Sequence, residues 1–392
     1  MSPRTATITL PPRVTGALLA MVGLGVASFA IGVSLAPQRA WADLLMSCYF
    51  MLELSLAAIF FLAVHYVTSA RWEVAIRRIP EAMAMLLPIG AAGVLIVLFV
   101  RPELYPWFEQ PASGTRALAF KEAWLSRPFF LARSVGYVVC WIVFALKLVR
   151  NSYRQDSDAH PALGRLNVRL SAGFLVVLAV TLVPASFDWI MSLEPVWYST
   201  IFAFYDFASM FLGGLAVMVI LLIWVWRLAP RDIEISAEHL HDLGKLLLGF
   251  ATFWAYLWFS QYMLIWYGNI SEETTYFVDR LRGPWAVLFV VNPLLNWAVP
   301  FGTLLSGWAK KSPAMLLTAA CSVLAGRLLD LYLGVLPRFV GEQSPLGVTE
   351  LGIMAGAVGL FTLVFFRNLG AAPLMPVRDP HIYPEHGVGS EI

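Results

Sequence analysis

Ten apolar runs, each about as long as a helix needs to cross a bilayer, dominate this chain and leave little freedom in what it can fold into. They lie at 14–35, 44–67, 81–100, 129–149, 168–190, 197–226, 243–267, 284–308, 313–336 and 350–368. A hydrocarbon core about 30 Å thick takes roughly 20 helical residues. Inside it every backbone donor and acceptor must be satisfied within the segment, which selects helices. Barrel strands would alternate apolar and polar residues, and these runs do not. The expected fold is therefore all-α, a polytopic membrane protein with about ten transmembrane helices, with residues 1–392 forming one integral membrane domain. Composition agrees: 59% of residues are hydrophobic, 13% charged, and the mean hydropathy is +0.72. Soluble domains carry roughly 45–50% apolar and about 25% charged residues. A net charge of only +2 gives no electrostatic footprint for nucleic acid.

Charge then orients the spans. Sixteen Lys and Arg residues fall on the side that holds both termini and the segments 71–78, 147–169, 227–231 and 310–311, against eight on the other side. The positive-inside rule places both termini in the cytoplasm. Arg4 and Arg13 before the first run imitate a signal peptide, but that run is longer than the roughly 7–15 residues of a secretory h-region. Residues 101–127, with Trp107 and Trp124, read as a periplasmic interfacial excursion. Residues 150–167 read as a polar cytoplasmic linker. The proline-rich tail 371–392 is expected to be non-helical.

Ionisable groups within spans are costly, from about 2.5 kcal/mol upward at the bilayer centre, so each needs a reason. Glu53 lies near the middle of span two and Asp206 about a third of the way into span six, with Ser209 and Gly213 on its face. Both are expected to point inward, as stations of a proton relay or as protonated, hydrogen-bonded carboxyls. In span seven, Lys245, Gly249, Thr252, Tyr256 and Ser260 recur at steps that place them on one helix face. His239, His241 and Asp242 crowd its cytoplasmic mouth and His65 ends span two on the same side, which suits a proton inlet. The bland alternative is solvated histidines and a snorkelling lysine. Pro184 is expected to kink span five just before Asp188, leaving Asp188 and Glu194 toward the outer surface. Asn292-Pro293, Asn296 and Pro300 form a broken-helix pattern in span eight. Arg327 and Asp330, three residues apart, can pair with each other.

Several chemistries lack their residues. Haem needs axial histidines inside helices, whereas His65, His239 and His241 sit at helix ends and His160, His381 and His386 in linker and tail. Cys48, Cys140 and Cys321 show no CxxC spacing, which argues against an iron–sulfur cluster or other metal site in this chain. No P-loop, GxGxxG turn or HExxH helix is present.

Three long strings, HYVTSARWEVAIRRIPE at 65–81, SFDWIMSLEPVWYSTIFAFYDF at 186–207 and HLHDLGKLLLGFATFWAYLWFSQYMLIWYGNISEET at 239–274, resemble the larger NrfD-like (polysulfide-reductase membrane-subunit-like) family of bacterial alternative complex III. That is the quinone-binding subunit 2 family of quinol:cytochrome c oxidoreductases, and the likeness extends over nearly the whole chain. The resemblance implies two four-helix bundles, spans two to five and six to nine, flanked by the first and last helices. It implies a second NrfD-like subunit, a periplasmic iron–sulfur protein, multihaem cytochromes c, small membrane anchors and a terminal oxidase as partners, with quinone or quinol as the ligand and no covalently bound cofactor. By position it implies an inner proton half-channel of His65, Glu81, His241, Asp242, Lys245 and Tyr256, and an outer one of Asp188, Arg327 and Asp330. The chain departs from the pattern where Asn296-Trp297 stands ahead of Pro300-Phe301 in place of a histidine. A secondary transporter with midplane carboxylates and a purely structural anchor are the competing expectations.

Overall fold

Helices that satisfy their own backbone are the solution the protein adopts. The computed structural model describes residues 8–108, 123–158, 160–194, 197–229, 235–341 and 347–376. Ten helices are long and apolar enough to span a membrane: α1 Pro12–Leu35, α2 Pro37–Val67, α3 Arg78–Val100, α4 Arg127–Gln155, α5 Ala162–Leu193, α6 Phe202–Leu228, α7 Ala237–Gly268, α8 Trp285–Leu304, α9 Pro313–Val335 and α10 Val348–Leu369. Among the described residues there is no strand. The protein is an all-α, multi-pass membrane protein. We call the end where α1 begins and α10 finishes the near end, and the opposite one the far end.

Two four-helix rings form the body. In the first, α2 packs on α3, α3 on α4, α4 on α5, and α5 back on α2; in the second, α6 to α9 close in the same way. The rings meet where α2 packs against α6, and these two helices are buried along nearly their whole length. Close approach depends on glycine. A Cβ on Gly90 of α3 would lie 2.6 Å from the Leu52 backbone nitrogen of α2, which leaves room for no other residue. Outside the rings, α1 and α10 run antiparallel, with Gly25 opposite Gly356 so closely that a Cβ on either would sit 2.6 Å from the other's Cα. Small residues that let backbones touch are how helices associate without a hydrophobic driving force.

Several helices extend past the apolar runs that announced them. Helix α2 starts at Pro37, not 44, and α7 at Ala237, not 243, because polar ends such as Arg39, Asp43, Glu238 and His239 continue the helix beyond the hydrocarbon. The expected linker 150–167 is mostly helical, since α4 runs to Gln155 and helix resumes at Pro161. Helix α5 passes through Pro184 as far as Trp189. The break expected in α8 is a π-helical turn, Leu294–Ala298. It frees the Leu295 carbonyl, which accepts a hydrogen bond from Ser322 Oγ of α9 at 2.8 Å. Within 101–127, short 3-10 turns occupy Pro102–Leu104 and Pro106–Phe108; residues 109–122 lie outside the described residues, as does the tail beyond 376.

Candidate functional site: a buried ionic cluster between the two rings

The packing of α2 against α6 and of α6 against α9 brings Glu53, Asp206, Arg327 and Asp330 together. Each sits on the inward stripe of its own helix; Glu53 is 2% and Arg327 3% exposed. Arg327 Nη1 donates to Asp330 Oδ2 at 2.8 Å, one turn along α9. Its Nη2 is ion-paired with Glu53 Oε1 and lies 3.3 Å from Asp206 Oδ1. One guanidinium therefore serves three carboxyl groups from three helices.

A ring of neutral donors completes the cluster. Tyr49 donates to Asp206 Oδ2 at 2.6 Å, and the Tyr205 hydroxyl donates to Asp330 Oδ1. Ser209 Oγ reaches Asp330 Oδ2 at 3.2 Å and receives the indole N–H of Trp254 at 2.9 Å. Asn292 Nδ2 donates to Asp330 Oδ1 at 2.9 Å, and Asn296 Nδ2 donates to Asn292 Oδ1 at 2.7 Å. Asn296 packs on Gly326, where a Cβ would lie 2.6 Å from its side chain. The π-helical turn thus places the Asn296 amide behind Asn292, which itself donates to the cluster. Among the described residues, no donor reaches Glu53 Oε2, and Arg327 Nε is likewise without a partner.

Toward the far end the cluster faces a small cavity of about 40 Å³, lined by Tyr205, Asp206, Asn292, Arg327 and Asp330 together with Gln261, Tyr276 and Arg280. At roughly 10–15 Å³ of such volume per water, it accommodates about three water molecules. Among the described residues, Gln261 Oε1 has no hydrogen-bond partner. Tyr276, in the short helix Ser271–Arg280, stays protonated because burial pushes its hydroxyl above the ordinary range.

A second cluster lies in the first ring. Arg133 of α4 grips Asp188 of α5 with two bonds, Nε to Oδ2 at 2.6 Å and Nη2 to Oδ1 at 2.8 Å. Trp124 Nε1 donates to Asp188 Oδ1 at 3.0 Å. Asp188 is therefore enclosed at the far end, not open to the outer surface. The next residue, Trp189, donates to Ser134 Oγ at 2.9 Å and meets Tyr49 of α2 edge-on at 6.2 Å between centroids.

The near end carries a third set. Glu81 pairs with Arg78 at 2.6 Å, and Arg78 also pairs with Asp156. His65 Nδ1 lies 2.7 Å from the Phe61 carbonyl, with the imidazole packed between Phe61 and Trp72. Between His65 and Glu53, about 18 Å along α2, the buried residues are apolar apart from Ser55, whose hydroxyl is bonded to Met51 O. No side-chain wire therefore joins the near-end set to the central cluster within α2.

The expected polar face of α7 points the other way. Tyr256 is 64% exposed, Gly249 has nothing within 4 Å, and Lys245 sits outward, paired with Asp242 at 2.6 Å. His241 is partly buried, 3.9 Å from Glu238, and His239 forms the capping box of α7 with Ser236. The inward stripe of α7 is instead Leu243, Gly244, Leu247, Ala251, Trp254, Leu257 and Gln261. Single-sequence periodicity finds a face but not which side of the helix the ring occupies. Arg133, Tyr49 and Arg280 carried no sequence signal as site residues beyond being polar residues in or beside apolar runs. Among the described residues, no group of three or more His, Cys, Asp or Glu side chains is placed to hold a metal ion.

No protein-family model and no curated protein matches the chain.

Proposed function

We propose that this chain is the proton-conducting membrane subunit of a quinol:cytochrome c, or quinol:acceptor, oxidoreductase complex in a bacterial inner membrane. The near end is cytoplasmic and the far end periplasmic, in keeping with the excess of Lys and Arg at the near end. The observation that carries the reading is the Glu53–Asp206–Arg327–Asp330 cluster. Three carboxyls around one guanidinium hold two negative charges more than the cation offsets, and uncompensated buried charge is costly. Protons relieve that excess, and a cavity beside the cluster with room for about three waters gives them a route. Acids kept inside a membrane at this expense mark proton relays. The redox assignment comes from the resemblance, as do the partners: a second NrfD-like subunit, an iron–sulfur protein, multihaem cytochromes c, small anchors and a terminal oxidase.

A secondary transporter would also place acids near mid-membrane. Pockets for small molecules are roughly 300–1,000 Å³, and the cavity at the cluster, about 40 Å³, is water-sized. For the same reason a quinol ring would be oxidised outside this cavity, with this chain handling the protons. The test is proton release per electron in vesicles containing the purified complex, with quinol as donor. Glu53→Gln is expected to lower the proton yield while electron flow continues. Unchanged yield at normal electron flow would favour the structural anchor. Purification of the chain without haem-bearing partners would favour the transporter.

A further inference from the structure

We propose that Glu194 and Arg280 form the outlet of the buried cluster, with Glu194 the last proton-carrying side chain before bulk water and Arg280 a positioning residue that seals the neck. The inference rests on the conduction reading above.

Arg280 ends the short helix Ser271–Arg280 and is 2% exposed. Its Nε donates to Leu333 O at 2.7 Å, Nη1 to Tyr276 O at 2.8 Å and Nη2 to Gly334 O at 3.3 Å. The guanidinium carbon stands 3.4 Å from the centre of the Tyr276 ring. Leu333 and Gly334 belong to the last turn of α9, whose carbonyls lack helical partners and attract a cation. Arg280 is therefore fixed on the wall of the cavity that holds Asp206 and Asp330.

On its other side, Arg280 Nη2 is 3.7 Å from Glu194 Oε1, and Glu194 Oε2 is 3.4 Å from Arg338 Nη1. Glu194, with its side chain 24% exposed, lines an open cavity of about 600 Å³ shared with Asp279, Arg282, Trp285 and Arg338. The Arg280–Glu194 contact thus lies between the small cavity at the cluster and this larger vestibule at the far end. A fixed guanidinium in a narrow passage repels protons and other cations, so a carboxylate must offset it where protons cross. The sequence of transfers balances without electrons. A proton leaves a cluster carboxyl for cavity water and is taken up by the Glu194 carboxylate, which loosens its pairing with Arg280. Vestibule water then removes the proton, and the carboxylate pairs again.

Two measurements test this. In the reconstituted complex, Glu194→Gln is expected to lower the proton yield per electron several-fold at matched electron flow, as Glu53→Gln does. A normal yield in Glu194→Gln beside a defective Glu53→Gln overturns the outlet, whereas normal yields in both overturn the conduction reading itself. The seal is tested on Gly334→Cys, a position on the cavity wall where a Cβ meets only Ile190 Cγ2, at 4.0 Å. A membrane-impermeant thiol reagent added from the far side should label this cysteine slowly, and at least tenfold faster when Arg280→Ala is added. Arg280→Lys, which keeps the charge, should stay slow. Equal labelling rates in all three overturn the seal.

Discussion

Replacing Arg327 by Met removes the one cation shared by Glu53, Asp206 and Asp330 while keeping a side chain of similar length. Arg327 is 3% exposed, so solvent does little to screen the loss. Deleting one partner of a buried pair costs about 3–5 kcal/mol, because the other is left charged and unpaired. The three carboxyls are not equally affected. Asp206 keeps Tyr49, and Asp330 keeps Tyr205, Ser209 and Asn292. Among the described residues, Arg327 is the only cation paired with Glu53. Most of the penalty should therefore fall on Glu53, and adding Glu53→Gln should recover part of it, with a coupling energy of roughly 1–3 kcal/mol. Reversible unfolding by a denaturing detergent in mixed micelles measures this on parent, both single variants and the double. The single Arg327→Met variant should shift the folded-to-unfolded ratio by roughly two to three decades or more, at about 1.4 kcal/mol per decade. A loss below about 1 kcal/mol, or strict additivity of the two substitutions, would refute the account of a desolvated, mutually dependent cluster.

Two other expectations follow from the same geometry. Gly356→Leu should push α10 off α1 and lower stability by roughly 1–3 kcal/mol, an overpacking cost. Gly23→Leu, on a part of α1 with nothing within 4 Å, should be neutral; equal thermal stabilities for the two would show that α1 and α10 do not touch as described. Lys245→Met should leave stability within about 0.5 kcal/mol, as surface changes usually do, and should leave proton yield unaltered. A halved yield would bring the outward face of α7 into the conduction path.

The ten helices were legible because lipid imposes one rule on every segment: apolar length reports a span wherever it occurs. Their ends were less so, because the helix continues past the hydrocarbon through residues such as Arg39 and Glu238 that hydropathy reads as loop. Of the site, the Arg327–Asp330 pair was readable from its spacing, since it is local to one helix. That Glu53 and Asp206 join it was not, because a residue on a single helix carries no record of which neighbour it will face. Span seven shows the cost of that gap. Its polar stripe obeys helical spacing, yet it lies on the outside of the ring, while the inward stripe is made of Leu, Ala and Trp with Gln261 as its polar member. Arg280 was hidden for another reason: its role comes from reaching the end of α9, 53 positions along the chain.

Helix α2 belongs to both rings. It closes the first by packing on α3 and α5, and it lends Tyr49 and Glu53 to the second. A tilt of one ring against the other would have to drag these two side chains out of their partners at once. The shared helix consequently ties the two rings together through side-chain contacts as well as packing. On the function proposed above, protons would pass by side-chain and water rearrangement alone.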